Sequence, residues 1–164
     1  MAKSAFKLND KVVYPTHGVG QVKGLEAQEI GGHKVDLLVV AFDKDKMTLR
    51  IPTIRAQESG LRKLSSGEEL DRVRKTLRSR ARISRGMWSR RAKEYETKIN
   101  SGCIVSLAEV VRDLHKNVDD PDRSYSERVI YENALNRLVG EFAAIENIDH
   151  DQASKKVLGV IKVA

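Results

Sequence analysis

The hydrophobic pattern changes period near residue 65. Before that point apolar residues come in short runs and alternations. Lys11-Val-Val-Tyr-Pro15 is a β-branched run closed by proline. Residues 19–30 form a longer run, and Gly31-Gly32 after it is a hairpin signal. Residues 35–42 are the most apolar segment, Asp43-Lys44-Asp45-Lys46 supplies a turn, and residues 47–51 alternate up to Pro52. This predicts five short strands in about 60 residues, a small, strongly bent barrel of SH3 or Tudor type.

From Ser65 the period is helical. Ser66-x-x-Glu69 reads as a capping box, followed by Leu70, Val73 and Leu77 on one face. Trp88, Ala92, Tyr95 and Ile99 share the next face. Ser106-x-x-Glu109 and Ser124-x-x-Glu127 read as further boxes, the latter opening the stripe Tyr131, Leu135, Leu138, Phe142 and Ile145. Asp149-x-x-Gln152 starts a last helix. The expected class is therefore α+β, with a barrel domain over residues 1–64 and a compact bundle of about five helices over 65–164.

Charge sharpens this division. Lys and Arg number 30 against 23 Asp and Glu, and the excess is uneven. Residues 1–64 carry +4, residues 65–100 carry +6 and residues 101–164 carry −3. Between Arg72 and Lys93 there are ten basic residues and no acid. Surface helices usually intersperse acids as i,i+4 partners, so a one-sign stretch points to a polyanion. No apolar run approaches the ~18 residues of a membrane span, and the first ten residues hold no apolar stretch of signal-peptide length. A single cysteine, Cys103, excludes an internal disulfide and fits a reducing compartment.

Catalytic chemistry finds little support. His17, His33, His115 and His150 are scattered, without metal-ligand spacing. Cys103 has no histidine partner in a motif and is expected to be a small buried thiol. Asp119, Asp120 and Asp122 lack the glycine and distal glutamate of a calcium loop. Gly18-Val-Gly20 lies between strands, so it is no phosphate cradle. Phe6, Tyr14 and Phe42 are too few aromatics for a methyl-lysine cage.

Two features remain. Trp88, the sole tryptophan, is flanked by Arg85, Arg90, Arg91 and Lys93. Its periodicity fits a core anchor. Its setting fits an apolar wedge with phosphate-holding arginines beside it. The second feature is Met47-Thr-Leu-Arg-Ile-Pro52, which ends in the proline of an edge strand and carries Arg50 as its one charge.

These residues resemble a known family. Lys7-Leu-Asn-Asp-Lys-Val-Val-Tyr-Pro15, then His17-Gly-Val-Gly20, is similar to the start of the CarD/CdnL bacterial transcription regulators. Leu49-Arg-Ile-Pro52, Gly60-Leu-Arg62, Trp88-Ser-Arg-Arg-Ala-Lys93 and Ala108-Glu-Val-Val-Arg-Asp-Leu114 match in order and spacing over nearly the whole chain. The first block also resembles the polymerase-interacting domain of the transcription-repair coupling factor, and the basic, Trp-bearing half distinguishes the two. The chain looks like the short type without an AT-hook-like tail.

The resemblance implies a non-enzymatic regulator with no cofactor and no metal. Its barrel would bind the RNA polymerase β subunit through Val39, Leu49, Arg50, Ile51 and Pro52. Its helical domain would meet promoter DNA at the upstream edge of the melted bubble, with low sequence specificity. Trp88 would wedge into the minor groove, and Arg85, Arg90, Arg91 and Lys93 would contact DNA. Gln28 departs from relatives that carry a basic residue nearby. The expected protein is a cytoplasmic monomer, associated with the nucleoid through polymerase and independent of membranes. The alternative is a free-standing, nonspecific DNA-binding protein.

Overall fold

The structure, a computed structural model, describes residues 6–15, 17–42, 46–56, 58–82 and 85–163. The chain divides into two compact units, Met1–Leu64 and Ser65–Ala164, and the class is α+β. The first unit is a Tudor-like antiparallel sheet of β1 (Lys11–Tyr14), β2 (Gly18–Ile30), β3 (His33–Phe42), β4 (Met47–Pro52) and β5 (Arg62–Lys63), in spatial order β4-β3-β2-β1-β5. The Asp43–Asp45 part of the expected turn lies outside the described residues.

Val12, Val22, Leu38, Val40, Phe42 and Ile51 fill the core of this sheet together with Phe6, Ala56 and Leu61. A bulge between Val22 and Gly24 bends β2 over it. Two glycines explain the motif spacing. A Cβ at Gly20 would lie 2.8 Å from the Phe42 ring. Gly60 has φ +90°, and a Cβ there would meet Pro15 at 2.9 Å.

The second unit holds α1 (Gly67–Arg78), α2 (Trp88–Asn100), α3 (Ile104–His115), α4 (Tyr125–Glu146) and α5 (His150–Val163). Ser66 and Ser124 cap α1 and α4 through Glu69 N and Glu127 N, at 3.3 and 3.1 Å. Asp149 and Gln152 exchange hydrogen bonds in both directions at the start of α5. The expected box at Ser106 does not form. Helix α3 begins at Ile104, with Cys103 as its N-cap and no side-chain cap. Ile104 is 1% exposed, so its burial carries the helix start upstream. Glu109 is engaged by Lys98 of α2 at 2.8 Å instead of reaching back to the backbone. Cys103 is likewise exposed, not buried, because it precedes the first inward turn.

Helix α3 is the most apolar and packs against α1, α2 and α4, with Leu107, Val110, Val111 and Leu114 buried. Leu138 and Phe142 of α4 and Val157 of α5 complete the same core. Asn147, left-handed at φ 55°, ends α4. No described helix is long and apolar enough to cross a membrane.

Candidate nucleic-acid and partner interfaces

The start of α2 combines an aromatic ring with uncompensated positive charge. Its N-cap, Met87, offers no side-chain hydrogen bond, and its first turn holds no acid. The first N–H groups of α2 therefore face an anion-favouring end of the helix. Arg85, Arg90 and Lys93 are exposed around this turn. Among the described residues only Arg90 of these three has an ion-pair partner, Glu94 at 3.8 Å on an exposed face, which neutralises little.

Trp88 is half-buried and packs at the rim of the helical core. Its ring lies 6.2 Å from that of Tyr95, and its indole N–H donates to Ser126 Oγ of α4 at 3.3 Å. The Arg91 guanidinium sits 5.4 Å from the Trp88 ring and 5.9 Å from the Tyr95 ring. Arg91 also donates to the Tyr95 hydroxyl at 3.3 Å, while its Nε has no hydrogen-bond partner among the described residues. Arg91 is thus half-buried and stacked, unlike the three exposed cations. Trp88 is thus held by contacts from α2 and α4 while remaining partly exposed.

Sequence spacing gave no sign of the α4 contribution. Ser126 lies 38 positions from Trp88. Tyr125 beside it is 81% exposed, and Met87 beside Trp88 is 77% exposed. Two large apolar side chains therefore flank the Trp88–Ser126 bond in sequence and stand in solvent.

In the first unit, β4 is an edge strand, paired among the described residues with β3 alone. The five residues singled out there fall on two faces. Leu49 and Ile51 stand opposite Val40 and Leu38 and turn toward the core, Ile51 being 8% exposed. Arg50 stands opposite Val39, and Pro52 opposite Leu37, on the other face. Val39 is itself 9% exposed, so Arg50 and Pro52 offer the side-chain surface. Arg50 is already engaged. Its Nε donates to Glu26 Oε2 of β2 at 2.9 Å, and both side chains are about half exposed.

Comparison with known proteins decides the family. The family model "CarD-like/TRCF RID domain" matches residues 6–65, and "CarD, C-terminal domain" matches residues 72–158. The chain belongs to the CarD family. Within this family of transcription factors, it is 29% identical over 147 residues to the putative transcription factor YdeB of Bacillus subtilis (strain 168). That alignment covers 90% of this chain and 96% of YdeB. The solution NMR structure of the 72-residue N-terminal domain of Myxococcus xanthus CarD is 27% identical over 38% of this chain and 84% of its own, with a TM-score of 0.32. The CarD C-terminal match includes the Trp88 helix start, and the RID match includes the β4 edge.

Proposed function

We propose that this CarD-family chain is a non-enzymatic transcription regulator that holds RNA polymerase and promoter DNA at once. Its first unit docks on the polymerase β subunit through the open edge of β4, by main-chain groups and by Arg50, which is half exposed and exchanges its Glu26 pair for the partner. Its second unit sets the start of α2 against the upstream edge of the melted bubble. Arg85, Arg90 and Lys93 contact phosphates, and Trp88 enters the minor groove. Arg91 acts from behind, by holding the ring. The protein works in the cytoplasm as a monomer, near the nucleoid, without cofactor or metal.

The observation that carries this reading is the fixing of Trp88. A wedge must resist the duplex that it separates, and unstacking a base step costs a few kcal/mol. A ring bonded to Ser126, packed on Tyr95 and covered by Arg91 is already immobilised. Binding then loses little further side-chain entropy. Backbone contacts by arginine and lysine carry no sequence information, which gives the low specificity. Tethering to polymerase supplies effective concentration in place of affinity.

The test is the lifetime of the open complex on an unstable promoter, with and without the protein, beside co-purification with polymerase subunits. Longer lifetime and capture of β are expected. DNA binding without capture of polymerase would favour a free-standing DNA-binding protein.

A further inference from the structure

The helical unit carries a second concentration of positive charge, built on helices other than α2. A groove of about 290 Å³ lies among α1, the end of α4 and α5. Arg74 and Arg78 line it from α1, Lys155 and Lys156 from α5, and Glu146 from α4. Four cations thus face one carboxylate, and that carboxylate is occupied. One Glu146 oxygen accepts from Arg74 at 2.6 Å and the other from Lys156 at 2.8 Å. Arg78 and Lys155 have no ion pair among the described residues.

The groove is preorganised. The Arg74 guanidinium stands 5.4 Å over the Phe142 ring, and Asp71 holds a second of its nitrogens at 3.0 Å. Glu146 and Asp71 therefore set Arg74 and Lys156 in place, and four cations against two carboxylates leave the cluster positive. The wall on α5 is open. Gly159 lines the groove, and a Cβ built on it meets no atom within 4 Å. Glycine is the poorest helix former after proline, and here it sits inside a 14-residue helix. Its gain is space.

A concave site with an apolar floor and converging cations is the form that small ligands use. Paired guanidinium and ammonium groups suit adjacent phosphates, arginine by its planar fork and lysine as a point charge. We propose that this groove binds the polyphosphate tail of a nucleotide, with Arg78, Lys155 and Lys156 on the phosphate oxygens and Arg74 as the fixed plane behind them. The helical unit then carries a small-molecule site separate from the Trp88 face.

Calorimetric titration of the full chain with tripolyphosphate, ATP and GTP at physiological salt tests this, with short-duplex binding measured in parallel. Saturable one-to-one binding is expected. Arg78→Glu with Lys155→Glu should weaken it about tenfold or more, a change of ~1.4 kcal/mol. Gly159→Leu alters no charge and raises helix propensity, yet should weaken binding comparably by filling the groove. Arg90→Ala with Lys93→Ala should leave it unchanged. Circular dichroism confirms folding of each variant. Absence of saturable heat overturns the proposal. So does unchanged binding in Gly159→Leu, which would mean that the charges attract anions without a site. If Arg78→Glu with Lys155→Glu weakens duplex binding as much as the Arg90 and Lys93 changes do, the groove is a track for DNA backbone and the proposal also falls.

Discussion

Glu141 holds Ser65 from inside the helical core: one carboxylate oxygen accepts both the Ser65 N–H at 3.1 Å and its hydroxyl at 2.9 Å. Glu141 is 1% exposed and Ser65 8%. A carboxyl group this deep is tolerated only when hydrogen bonds compensate its burial. Because Ser66 caps α1, this contact fixes where the first helix begins. Glu141→Ala removes the acceptor that both bonds share and should cost about 2–4 kcal/mol of stability. Glu141→Gln, which retains an acceptor, should cost less. Urea unfolding followed by helical circular dichroism measures both, and equal losses for the two variants would contradict the hydrogen-bond account.

Trp88→Ala should change two quantities. Full truncation of a buried aromatic costs about 3–5 kcal/mol, and a half-buried one roughly half of that. The variant should therefore melt earlier but remain folded at room temperature. There it should still co-purify with polymerase, while open-complex lifetime drops about tenfold, the effect of losing ~1.4 kcal/mol. An unaltered lifetime in the folded variant would leave Trp88 with a packing role alone.

The basic residues should separate by position. Arg90→Ala with Lys93→Ala should lower the log–log salt slope of duplex binding by about 0.9 for each phosphate that is no longer neutralised, without a change in melting temperature. Arg91→Ala should instead destabilise the fold, by about 1 kcal/mol, through loss of its stacking on Trp88 and Tyr95. Salt titrations and thermal melts of the two variants give the comparison directly.

Arg50→Glu should abolish co-purification with the polymerase β subunit, for two reasons. It removes the exposed cation of the β4 edge, and it sets a second carboxylate beside Glu26. Glu26→Gln releases Arg50 from its ion pair and should preserve or strengthen capture. Either change should move stability by less than about 1 kcal/mol, since the pair is half exposed. Loss of capture in Glu26→Gln would show that the pair, and not Arg50 alone, forms the docking element.

Tyr131 gives the alkaline limb of stability. Burial pushes its hydroxyl pKa up to about 12; Arg123 opposes the shift and Asp119 adds to it. The Tyr131 hydroxyl lies 2.7 Å from His115 Nδ1. The folded state therefore keeps a proton that the unfolded chain releases near pH 10. Stability is unaffected by this group below pH 10 and falls as pH rises from about 10 to 12, by roughly 2–3 kcal/mol. Tyr131→Phe should flatten that fall, while costing about 1 kcal/mol at neutral pH through removal of the hydrogen bond. Unfolding curves across this range decide it.

The elements were legible where one local rule governed them. Leu70, Val73 and Leu77, or Tyr95 and Ile99, announce helix faces because burial repeats at helical spacing. Ser66, Ser124 and Asp149 cap as their side chains dictate. Ser106 did not, because the burial of Ile104 and the pull of Lys98 on Glu109 outweighed a local motif. The family blocks located Trp88 and β4, but not how either is held. Ser126 and Glu26 come from distant turns of the chain, and no spacing relates them to Trp88 or Arg50. Alternation along β4 did contain the split between Leu49 with Ile51 and Arg50 with Pro52, since a strand sends neighbours to opposite faces. Grouping those residues as one surface hides that split.

The chain has one tryptophan, and it sits at the start of α2. Its indole emission, excited at the red edge where tyrosine is silent, is therefore an optical readout of a single location. Whatever disturbs the Ser126 bond or displaces Arg91 should alter its wavelength or intensity. Events confined to the β-sheet unit should not. Without any label, the protein distinguishes by colour which of its two units has been touched.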